Sequence, residues 1–126
     1  MPLVRVDVPE SRPADELAAI GDGVHRALVE AIGIPPQDRF QVLTRHASGL
    51  FVFDRHYLGI SRSDGIVFVQ ITLSLGRSLD QKKGLYAAIV RNLGQNPGVR
   101  GEDVFVNLVE VVRENWSFGN GVAQYA

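Results

Sequence analysis

With 126 residues, 45% of them hydrophobic, the chain is long enough to bury one core and too short for two domains of ordinary size. Thirteen basic residues against fourteen acidic ones leave a formal charge of -1, which argues against nucleic acid or an anionic membrane as partner. No cysteine is present, so disulfides, thiolate metal sites and cysteine nucleophiles are excluded.

The chain opens "MPLVRVDV". Val4, Val6 and Val8 alternate with Leu3, Arg5 and Asp7, the period-2 signature of a strand. Pro13 suits a first helical turn, Asp15 and Glu16 complement the helix dipole, and Leu17, Ile20, Val24, Leu28 and Ala31 recur at spacings of three and four. Gly33, Pro35 and Pro36 stop that helix. "RFQVLTRH" then reads as a second strand, parallel to the first by the crossover rule. Residues 47–64 mix turn formers with aromatics and read as a loop or short hairpin.

A second unit repeats the plan, so the single domain divides into halves of about 2–60 and 61–126. "GIVFVQITLS" is a nearly continuous apolar strand, which implies burial on both faces; it is far too short to span a bilayer. Ser78 and Gln81 form a capping box ahead of a helix carrying Leu85, Ile89 and Leu93, with Gly94 and Pro97 as its stop. "DVFVNLVEVV" is the last strand. The expected fold is α/β (α+β): two βαβ units in one four-stranded, mainly parallel-paired sheet with both helices on one face. Two helices leave the other face open, and an apolar central strand asks for cover there, so the burial pattern points to another subunit or to the C-terminal segment. The N-terminus has acidic residues and no signal-peptide apolar region, so a cytoplasmic protein is expected.

Pro2 heading a strand, the paired βαβ units, the turn "PPQDRFQ", the segment "GRSLDQK" and the late "NWSFGNG" together resemble the tautomerase superfamily, and within it the malonate semialdehyde decarboxylase group. The resemblance spans nearly the whole chain. It implies a homotrimer with sheets packed around a central axis, a tautomerase or macrophage migration inhibitory factor-like fold, removal of Met1, and catalysis by the amino-terminal Pro2 without metal or organic cofactor. Carried onto this sequence, it makes Asp38 the carboxylate near the prolyl nitrogen and Arg77 the partner of a substrate carboxylate. Trp116 and Phe118 would wall the pocket, beside Phe40, although Trp116 could equally just pack a C-terminal turn. His25 resembles a helix-one histidine of the cis-3-chloroacrylate dehalogenase group, and Glu110 lies near the water-activating carboxylate of that group; each also reads as an ordinary surface or satisfied residue. Two departures stand out. Ser74 falls where the decarboxylase pattern has a first arginine, and Phe40 where a tyrosine is common.

The chemistry follows from the nitrogen. A free prolyl amine starts near the α-amino range; desolvation and cations lower its pKa toward general-base or nucleophilic use, whereas a carboxylate raises it and keeps a cation that polarises a carbonyl. No dinucleotide fingerprint, nucleophile elbow or metal-ligand spacing of His25, His46 and His56 competes with this reading. The expected function is a cofactor-independent decarboxylase or tautomerase of a small oxo acid, malonate semialdehyde being the specific substrate expected. The alternatives are a hydratase or dehalogenase of 3-substituted acrylic acids on the same site, or a non-catalytic trimeric binding protein if Met1 is retained, because Pro2 is then an imide nitrogen with no basicity.

Overall fold

The structure is a computed structural model that describes residues 1–126. In chain order it contains β1 (Leu3–Pro9), α1 (Ala14–Ile32), β2 (Gln41–His46), β3 (Val67–Ser74), α2 (Leu79–Gln95) and β4 (Val104–Val111), with three short 3-10 turns between or after them. The sheet order is β2-β1-β3-β4. β1 pairs with β2 and β3 with β4 in parallel, and the two βαβ units meet along an antiparallel β1–β3 ladder. This is the paired βαβ architecture that the sequence pattern predicts.

One face of each element builds the core. Val4, Val6 and Val8 of β1 and Val67, Val69, Ile71 and Leu73 of β3 are buried against Leu17, Ile20, Val24 and Leu28 of α1 and Leu85, Ile89 and Leu93 of α2. Each such aliphatic side chain contributes about 1.5–3 kcal/mol when fully removed from water. Close helix packing leaves little room at Gly23, where an added Cβ would come within 2.8 Å of Leu93 Cδ2 and push that side chain aside. Asn92 seals the same contact by donating from Nδ2 to the Gly23 carbonyl at 3.0 Å.

Helix ends follow local chemistry. Pro13 stands just outside α1 as its N-cap residue, and Gly33, at φ +70°, closes the helix in the left-handed conformation with its N–H on Val29. Ser78 and Gln81 form the capping box of α2. That helix continues through Gly94 to Gln95, one turn signal later than the sequence suggests, because the Gly98 and Val99 amides then bond to the Leu93 carbonyl. β2 begins at Gln41, since Arg39 is drawn to Asp22 and Gln41 while the Phe40 carbonyl accepts from the Val4 amide. Residues 47–64 form a loop with one 3-10 turn, Tyr57–Gly59, and no hairpin.

The second face of the sheet is open within the chain, as two helices on the other face leave it: Gln70 is exposed and Phe68 and Thr72 are half-buried. On this face Phe51 packs on Phe68 at 4.5 Å between ring centroids and Phe68 on Phe105 at 4.9 Å, and Phe105 remains 47% exposed. His46 and Asp7 pair beside that aromatic row at 2.6 Å.

Candidate active site

The strand registers bring four chain segments to one edge of the sheet. β1 runs parallel to β2, with Val4 opposite Gln41, so continuing the ladder back places Met1 level with Asp38. β1 runs antiparallel to β3, with Leu3 opposite Thr72, so the same continuation places Met1 level with Ser74. Ser74 in turn pairs with Val111 at the end of β4, and the chain leaving β4 reaches Trp116. The head of β1 therefore meets the start of β2, the end of β3 and the C-terminal segment.

Asp38 is held by a turn in which its amide donates to the Pro35 carbonyl at 2.9 Å. Its Oδ2 lies 3.9 Å from the Met1 amine, both side chains being mostly buried, while its Oδ1 is buried with no hydrogen-bond partner. The amine is held below its ordinary value of 8.0, first because burial disfavours the charged form; Asp38 opposes that and Arg77 reinforces it. At 3.9 Å the ion pair sits at the outer limit of such contacts and does not offset the desolvation. Asp38 and Arg77 thus both act on the amine at the head of β1.

Arg77 follows Gly76, whose φ of +127° turns the chain between β3 and α2, and its Nη1 donates back to the Ser74 carbonyl at 3.0 Å. The aromatic wall is equally ordered. Trp116 stacks on Phe118 at 5.4 Å and 18°, Phe118 meets Tyr125 edge-on, and the Arg113 guanidinium lies over Tyr125. Trp116 Nε1 donates to Ser74 Oγ at 3.0 Å. Met1, Pro2, Leu3, Phe40, Trp116, Ser117 and Phe118 enclose a mainly apolar recess of about 210 Å³, and Asp38 and Arg77 reach the amine from outside that lining. A larger cleft of about 540 Å³, bordered by Glu10, His46, Phe51 and Arg55, lies at the other end of β1 and holds no amine.

Pro2, Asp38, Phe40, Arg77, Trp116 and Phe118 are thus brought together. His25 and Glu110 are not in the recess lining. His25 is 8% exposed and its Nε2 lies 2.7 Å from the Pro36 carbonyl, an acceptor only, so that nitrogen carries the hydrogen and secures the turn that presents Asp38. Glu110 takes Lys82 of α2 at 2.7 Å. Sequence reasoning overlooked Ser74 as a structural partner; a lone serine ending a strand carries no signal that its hydroxyl meets a tryptophan 42 residues on. No three His, Asp or Glu side chains converge into a metal-binding group, and no helix is long and apolar enough to cross a membrane.

Two βαβ units in one mixed four-stranded sheet, joined by an antiparallel β1–β3 ladder, are the fold of tautomerase enzymes. The chain belongs to the tautomerase family: two family profiles, each described as "Tautomerase enzyme", match residues 38–119 and 2–59. It is 36% identical over 124 residues, 98% of either chain, to the probable tautomerase YusQ of Bacillus subtilis (strain 168). Among solved structures, an FG41 malonate semialdehyde decarboxylase inhibited by 3-bromopropiolate superposes with a TM-score of 0.91 at 40% identity, covering 98% of this chain and 93% of that one. A second malonate semialdehyde decarboxylase, described with decarboxylase and hydratase activities, gives 0.90 at 33% identity, covering 98% and 95%.

Proposed function

We propose that the chain is a cofactor-independent decarboxylase of a small 3-oxo acid, malonate semialdehyde in the first instance, with enol–keto tautomerisation on the same site, and that Pro2 becomes its amino terminus when Met1 is removed. The observation that supports this reading is the grouping at the head of β1: a buried Asp38 oxygen without a partner beside the amine, and Arg77 near enough to act on the amine's charge. A buried carboxylate oxygen left unpaired costs about 1–3 kcal/mol or more. A Pro2 ammonium, one residue further in than the Met1 amine, would supply the missing donor.

In the proposed reaction Arg77 takes the substrate carboxylate by charge-assisted hydrogen bonding. The Pro2 nitrogen, a secondary amine and so more basic than the Met1 amine it replaces, is held as the ammonium by Asp38 and donates to the aldehyde oxygen. As the carbon–carbon bond to the carboxylate breaks, its electron pair moves into the enolate, whose oxygen the ammonium stabilises; carbon dioxide leaves and protonation at carbon gives acetaldehyde. Trp116, Phe118 and Phe40 exclude water, which strengthens both charge contacts. The open sheet face, with its row of Phe51, Phe68 and Phe105, supports a homotrimer in which neighbouring copies cover it.

The test is turnover of malonate semialdehyde, followed as acetaldehyde formation, by protein whose intact mass shows Met1 to be absent. Pro2→Ala and Arg77→Ala should each lower kcat/KM by about a hundredfold or more, the usual contribution of a positioned acid or charge. Full activity in Pro2→Ala would refute the mechanism. A second reading, a non-catalytic binding protein, applies where Met1 stays in place: the amine at the site is then primary and the Pro2 nitrogen is an amide. Intact mass of the native protein separates the two.

A further inference from the structure

Ser74 ends β3 and is 8% exposed, yet neither of its polar groups is idle. The hydroxyl oxygen accepts from Trp116 Nε1 at 3.0 Å, and the carbonyl accepts from Arg77 Nη1 at 3.0 Å. One residue thereby fixes the aromatic wall through its side chain and the guanidinium through its backbone. The indole is held at two points, by Phe118 stacked on one face and by Ser74 at its N–H edge. With that N–H committed inside the protein, the ring presents carbon to the recess, and the cations that a ligand carboxylate can meet are the amine and Arg77.

We propose that Ser74 is the positioning residue of the recess: its hydroxyl sets the orientation of Trp116, and through it the fit of a compact monocarboxylate. The inference rests on the functional reading of the recess above, but its first readout does not need turnover. Removing the hydroxyl leaves the Ser74 carbonyl, and so the Arg77 contact, in place. The loss falls on ligand fit more than on the chemical step, which gives the substitution a signature different from that of Arg77→Ala.

Trp116 is the only tryptophan in the chain, so its emission and its quenching by acrylamide report on this side chain alone. In Ser74→Ala, quenching of Trp116 should increase clearly and KM for malonate semialdehyde should rise about fivefold to tenfold, the size one neutral hydrogen bond gives, with kcat changing less. Ser74→Thr, which keeps a hydroxyl, should restore both. Trp116→Phe should raise KM by a similar factor, and adding Ser74→Ala to it should raise KM no further. Unchanged quenching in Ser74→Ala, or additive effects on KM in the double variant, would overturn the assignment. If the protein does not turn over malonate semialdehyde, the quenching comparison of Ala and Thr variants still decides the role of Ser74 while the functional reading fails separately. Should Ser74→Ala not fold, Ser74→Thr and Trp116→Phe carry the test: wild-type quenching and KM in the first with raised KM in the second support the assignment, and any other combination overturns it.

Discussion

His25→Ala separates a residue that touches ligand from one that holds the loop presenting Asp38. The imidazole is buried on α1, and its Nε2–H meets the Pro36 carbonyl at 2.7 Å, two residues before Asp38. Pro36 itself is exposed, so its carbonyl regains water when the ring is removed; the loss is the net worth of one hydrogen bond, about 0.5–1.5 kcal/mol, plus some packing around the missing ring. A total of about 1–2 kcal/mol lowers Tm by roughly 4–8 °C in a domain of this size. Thermal unfolding at fixed protein concentration measures it, and steady-state turnover of malonate semialdehyde gives the functional arm: kcat should fall with the loosened Asp38 turn. His25→Gln, whose amide nitrogen can reach the same carbonyl, should recover most of both. If His25→Ala unfolds like the wild type while KM alone rises, the ring contacts substrate and the positioning argument is wrong.

The amine at the head of β1 should titrate below 8.0, and NMR titration of a methyl-labelled amine checks it in the Met1-bearing chain. Burial is the largest cause, so Asp38→Asn should lower the value further and Arg77→Gln should raise it; shifts of the opposite sign would contradict the arrangement. Because the folded value is depressed, the stability linked to this amine is fully present above pH 8.0 and is lost as pH falls through the folded value. On the open sheet face, Phe105→Arg should convert an assembly of several copies toward the 13.8 kDa chain in light scattering. A wild-type protein already monomeric at micromolar concentration would refute the burial argument.

Strand and helix positions were legible in the sequence because each apolar stripe has one period and one role. Val4, Val6 and Val8 can only face a core together, and Leu85, Ile89 and Leu93 can only lie on one side of a helix. The ends were less legible: α2 runs through Gly94, and local backbone bonds from the Gly98 and Val99 amides to the Leu93 carbonyl close its end beyond that glycine. The apolar run from Ile66 to Leu73 carries more than the fold of one chain. Phe68 and Thr72 are apolar or β-branched without being buried in this chain, so the pattern records a demand for cover that a single copy does not meet.

For the site, the difference lies between residues marked by local context and residues marked only by contact. Asp38 follows two prolines in a turn and Arg77 stands at the mouth of a helix with a capping box, so both advertise a fixed backbone position in the sequence itself. Ser74 and His25 act at a distance, one on a ring 42 residues away and the other on a carbonyl 11 residues away, and no spacing rule links either pair. Ser74, read from sequence as the loss of a cation, is also the acceptor for the tryptophan. A long, charged guanidinium in its place has no acceptor to offer the indole N–H, so one substitution would exchange a second anion contact for an ordered aromatic wall. On that argument the two features are alternatives: under the proposed function, a site with Ser74 would leave the substrate carboxylate to Arg77 and the amine and would select the rest of the substrate by the shape of the aromatic wall.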